Sequence, residues 1–108
     1  MSGIFELREE SFERGFAIGE EVRFKALTRR NKALGLWAAR LLGYEGDAAR
    51  AEADALMEEQ IGCGDDRALA AELGAKFSRA GIEVSRHRIC RMMEQKMAEA
   101  LAGLQTGR

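Results

Sequence analysis

The sequence predicts an all-α fold: a four-helix bundle with a long first helix and an N-terminal amphipathic arm. Three observations carry that expectation. Proline is absent from all 108 residues, and a helix interior is where proline does most damage, because it lacks an N–H and its ring clashes with the preceding turn. Ala, Leu, Glu, Arg and Met dominate the chain, and these residues lose little on entering a helix. The glycines Gly43 and Gly46, Gly62 and Gly64, and Gly81 cut the chain into helix-length blocks. Glycine adopts the left-handed conformation that commonly ends a helix at little steric cost.

Each break is followed by a residue suited to cap the next helix: Asp47, Asp65 or Asp66, and Ser85. Helices are therefore expected near 21–42, 48–61, 67–80 and 86–102. Apolar residues recur at helical spacing in each. The first block offers Phe24, Leu27, Leu34, Ala38 and Leu41, with Trp37 beside that stripe. The second offers Ala49, Ala53, Leu56 and Met57, a shallow face suited to close approach, and Gly35 in the first helix permits the same. The third offers Leu69, Leu73, Phe77 and Ala80; the fourth offers Ile89, Met93, Met97, Ala100 and Leu104. Val84 before Ser85, with Ile89 following, has the spacing of a hydrophobic staple. Short connections make consecutive helices antiparallel neighbours, so a bundle follows.

Three segments result: an arm at 1–20, the bundle at 21–102 and a fraying tail at 103–108. In the arm, Phe5, Phe12 and Phe16 share one helical face at i, i+7 and i+11, among Leu7, Arg8, Glu9, Glu10, Glu13 and Arg14. Gly15 and Gly19 each oppose a helix by about 1 kcal/mol. A charged segment with a sparse apolar stripe and two glycines is expected to order on a partner.

Composition excludes several classes of function. Lys plus Arg number 17 against 18 Asp plus Glu, whereas a nucleic-acid-binding domain usually carries a basic surplus. Leu69 to Arg91 has the outline of a helix-turn-helix, but that motif wants a small residue four before the turn glycine and an aliphatic one six after it. Counted from Gly81, Phe77 and His87 stand there. No nucleotide-binding loop or nucleophile elbow is present. Cys63, His87 and Cys90 supply three ligand types where a structural zinc site uses four, and their spacing matches no zinc signature. Cys90 is expected to face the core. No catalytic residues, metal or cofactor are expected, and no enzyme. The N-terminus has no basic start followed by an apolar stretch, and no apolar run approaches the roughly 20 residues of a membrane span. A soluble, intracellular chain with free thiols, monomeric when free, is the expectation.

The most informative run is Arg29-Arg30-Asn31-Lys32-Ala33-Leu34-Gly35-Leu36-Trp37-Ala38-Ala39-Arg40-Leu41-Leu42-Gly43, a basic turn followed by an apolar helical stretch. Leu34, Trp37, Ala38 and Leu41 belong in a core. Arg29, Arg30 and Lys32 are expected to form a cationic rim where the bundle meets the arm.

This run resembles the signature of the zeta-subunit ATPase inhibitor family of α-proteobacteria, in which Arg-Arg-Asn-Lys followed by Leu-Gly-x-Trp-Ala-Ala recurs. Phe5-x-x-Arg8-Glu9-Glu10-x-Phe12-Glu13-x-x-Phe16-Ala17 is similar to that family's arm, and Gly64-Asp65-Asp66 to its acidic turn. The resemblance implies a regulatory inhibitor of the F-type ATP synthase. Its arm would insert between catalytic subunits of the head, meeting the alpha, beta and gamma subunits, and block hydrolysis while permitting synthesis. It implies a cytoplasmic location at the inner face of the inner membrane. Phe5, Arg8, Glu9, Phe12, Glu13 and Phe16 would be the inhibitory contacts, with Arg29, Arg30 and Lys32 supporting docking. Departures are Gly15, Ile18 and Gly19, where the family more often has Lys, His and a polar residue, Ala33 for Leu, and the cysteines. They leave two alternatives: a non-inhibitory helical adaptor of the same family, and a DNA-binding helix-turn-helix module.

Overall fold

The computed structural model describes residues 19–58 and 65–105. These form four helices and, among the described residues, no strand: α1 Glu20–Leu41, α2 Gly46–Glu58, α3 Asp66–Arg79 and α4 Arg86–Gln105. Helix α1 packs against α2 on one side and α4 on the other, while α3 lies against α4. The chain runs up, down, up, down. Antiparallel α1 and α4 follow from Gly103 near the end of α4, where an added Cβ would lie 2.9 Å from Nη1 of Arg29.

Local chemistry sets the helix ends. Gly43 and Gly81 take φ of +105° and +76°, the left-handed region. At each, two backbone bonds close the helix: Gly43 N–H to Arg40 C=O and Tyr44 N–H to Ala39 C=O, then Gly81 N–H to Ser78 C=O and Ile82 N–H to Phe77 C=O. This is the 5→2 and 6→1 pairing that satisfies the last carbonyls of a helix. Asp65 caps α3 by accepting from the Arg67 N–H at 2.9 Å. Ser85 caps α4, its Oγ accepting from the Arg88 N–H at 3.0 Å. Asp47 is instead inside the first turn of α2, where it accepts from Arg50. The helix begins two residues earlier than expected, at Gly46, whose φ is +57°.

The core joins all four helices: Leu34 and Ala38 from α1, Leu56 from α2, Leu69, Ala70, Leu73 and Phe77 from α3, and Ile89 and Met93 from α4. Phe77, Leu34, Leu73 and Ile89 are the largest fully buried side chains, each contributing roughly 1.5–3 kcal/mol by burial. Trp37 meets Phe77 edge to face, with ring centroids 5.6 Å apart. Val84 and Ile82 pack against the same cluster, to which Ile89, the expected staple partner of Val84, belongs. At the α1–α2 crossing, a Cβ on Gly35 would sit 3.0 Å from the Ala53 carbonyl oxygen. Ala49 and Ala53 are buried there, so the small-residue contact read from the sequence is present.

Some placements differ. Phe24, expected in the core stripe, is 71% exposed. Ala80 is exposed, because it caps α3 instead of lying on its buried face. Cys90 is exposed too, since the inward positions of α4 are taken by Ile89 and Met93. Helix α4 runs to Gln105, beyond the expected end at 102, with Gly103 held beside Arg29. No helix among the described residues is long and apolar enough to cross a membrane.

Candidate functional site: the cationic first helix

Helix α1 carries six basic side chains, Arg23, Lys25, Arg29, Arg30, Lys32 and Arg40, against two acidic ones, Glu20 and Glu21. The whole chain has a net charge of −1. Positive charge is therefore concentrated on one element. Glu20 and Glu21 lie in the first turn and Arg40 in the last, each favourable to the helix dipole.

The expected cationic rim is divided by the fold. Arg29 and Lys32 are exposed. Arg30 is buried, with only 4% of its surface accessible, and it faces inward between α1 and α3. Its Nη1 and Nη2 donate to Oδ2 and Oδ1 of Asp66 at 3.0 and 2.9 Å, and its Nε donates to Oδ1 of Asn31 at 2.8 Å. All three guanidinium nitrogens are thus satisfied. Burying a guanidinium is tolerable when a carboxylate meets it with two parallel bonds. Arg30 is a clasp between helices and does not belong to the exposed rim. Arg29, Arg30 and Lys32 do not form one surface, because the helical repeat turns Arg30 about 100° away from Arg29. Asp66 was legible only as a cap; nothing local links it to Arg30.

Phe5, Arg8, Glu9, Phe12, Glu13 and Phe16 lie outside the described residues, as do Gly15 and Cys63. Gly19 is the N-cap of α1, with extended backbone and no side-chain cap bond. His87 is exposed. Among the described residues no group of three or more His, Cys, Asp or Glu side chains is placed to hold a metal ion. One open groove beside α1 is lined by the apolar residues Ala33, Leu36, Trp37 and Leu41 and the cations Arg40 and Lys96.

The family model for ATPase inhibitor subunit zeta matches residues 1–103. The chain belongs to that family, whose members are described as inhibitors and so as regulators of an ATPase. Comparison with curated proteins and with solved structures gave no match.

Proposed function

We propose that this chain is a regulatory inhibitor of the F-type ATP synthase, acting on its catalytic head at the cytoplasmic face of the inner membrane. The observation that carries this reading is the extent of the family match, which spans the arm as well as the bundle. Inhibition is exerted by residues 1–20, which enter between catalytic subunits as a helix and obstruct rotation in the hydrolytic direction. Phe5, Phe12 and Phe16 supply the apolar stripe that such a helix would lay into a groove. Arg8, Glu9 and Glu13 set its register by charge. Arg29 and Lys32 support docking, and Arg30 contributes by holding α1 to α3.

The bundle serves as a rigid base from which α1 presents the arm.

The test is titration of the purified protein into purified synthase head while ATP hydrolysis is followed. Hydrolysis should fall to a plateau at stoichiometric addition. Phe12→Ala should weaken inhibition by about 2–4 kcal/mol, as expected of a buried aromatic anchor. A helical adaptor of the same family without inhibitory activity is the second reading, favoured by Gly15 and Gly19. Stable association with the head and undiminished hydrolysis would establish it.

A further inference from the structure

The first two turns of α1 project beyond the bundle. Residues 19–25 are all exposed, and Ala26 is the first buried position. The neighbouring helices explain why. Helix α2 meets α1 where Ala53 faces Gly35. Running antiparallel at about 1.5 Å per residue, its last described residue, Glu58, comes level with about residue 30 of α1. Helix α4 ends at Gln105, two residues past Gly103, which lies against the guanidinium end of Arg29. Neither reaches Phe24.

Phe24 is thus 71% exposed on a helical turn that no described helix covers, with Val22 also exposed at 39%. Leaving a phenylalanine in water forgoes the burial that stabilises most of its kind. Lys25, Arg29 and Lys32 recur at i, i+4 and i+7, a cationic stripe running down α1 beside that ring, and Lys25 and Lys32 are exposed. An aromatic ring bordered by cations has the composition of an interface anchor.

We propose that Phe24 is a docking anchor for the ATPase partner, seated in an apolar pocket of the partner's surface that is rimmed by carboxylates complementary to Lys25 and Lys32. This rests on the inhibitor reading and extends it from the arm onto the bundle's own helix. The continuity is physical: Phe24 stands five residues from Gly19, about 7 Å along the helix axis, so a partner that grips the arm is in reach of the ring. The anchor fixes the direction in which α1 leaves the partner, and so the angle at which the arm enters.

The experiment compares the full chain with Phe24→Ser and Phe24→Leu, and with Phe12→Ser in the arm, in hydrolysis titrations against the purified synthase head. Thermal unfolding of each variant is measured alongside. Phe24→Ser should raise the half-inhibitory concentration about thirtyfold, the factor of a typical anchor residue, with its unfolding midpoint unchanged. Phe24→Leu should recover most of the loss. Unaltered inhibition by Phe24→Ser, with Phe12→Ser impaired, would overturn the anchor and leave the inhibitor reading standing. A clear fall in the unfolding midpoint of Phe24→Ser would also overturn it, because the ring would then be packing within the chain. Wild-type protein that does not inhibit would overturn both.

Discussion

Arg30 and Asp66, 36 residues apart, fasten the middle of α1 to the first turn of α3 through two parallel N–H···O bonds of 3.0 and 2.9 Å. The pair is asymmetric. Arg30 is almost wholly buried, while the Asp66 side chain is 64% exposed. With Trp37 against Phe77 it makes a second point of attachment between the same helices, so α1 is tied to α3 at two points along its length.

Cutting the clasp should destabilise the bundle unequally from its two ends. Arg30→Ala removes buried packing as well as charge, and should lower unfolding stability by about 2–3 kcal/mol. Asp66→Asn should cost about 3 kcal/mol or more, because it leaves the buried guanidinium without its counter-charge and with one of its bonds lost. Urea unfolding of both variants and of the double variant gives the coupling. A neutral Asp66→Asn would mean that Asn31 and packing alone hold the guanidinium.

Two helical glycines should respond in opposite senses to alanine. At Gly74 an added Cβ meets only Cδ1 of Ile89 at 3.7 Å, an ordinary contact. Gly74→Ala should therefore stabilise by up to about 1 kcal/mol through helix propensity. At Gly35 the Cβ would stand 3.0 Å from the Ala53 oxygen and 3.3 Å from its Cα, so α2 must move away. Gly35→Ala should show no gain and a net loss of about 1 kcal/mol, and Gly35→Val about 2 kcal/mol or more. Thermal melts of the three variants decide it. A stabilising Gly35→Ala would show that α2 shifts freely.

Gly81→Ala tests the turn between α3 and α4. The position has φ of +76°, where a Cβ is strained, and the expected loss is about 1–2 kcal/mol. Open space surrounds the would-be Cβ, so the loss would be conformational and not steric crowding. Replacement by a D-alanine through chemical synthesis should restore or exceed wild-type stability; failure to do so would put the origin elsewhere.

In the arm, Gly15→Ala combined with Gly19→Ala should tighten inhibition. Helix propensity offers about 2 kcal/mol for the pair, up to roughly a thirtyfold gain in affinity. A methyl group fits at Gly19, since nothing lies within 4 Å of its would-be Cβ. Gly19 caps α1 with extended backbone in this structure, so the gain arises only if the arm and α1 become one continuous helix on the partner. A concentration series in the hydrolysis assay reads this out. Unchanged or weaker inhibition would show that the glycines form a required hinge.

The helical class, the breaks at Gly43 and Gly81, a cap at Asp65 or Asp66, the cap at Ser85 and most of the core are legible in the sequence. Each of those follows from neighbours within a few residues: a left-handed glycine, a short side chain reaching an N–H, apolar spacing at 3.6 residues per turn. The small-residue crossing was legible too, because Gly35 and the Ala49–Ala53 face are unusual wherever they occur. Tertiary structure alone decided which basic residue of the Arg29–Lys32 run turns inward, since that depends on where α3 begins relative to α1. It also decided that Phe24 stays in water. Helical periodicity marks a ring as belonging to an apolar face, but whether that face is covered depends on where the neighbouring helices stop.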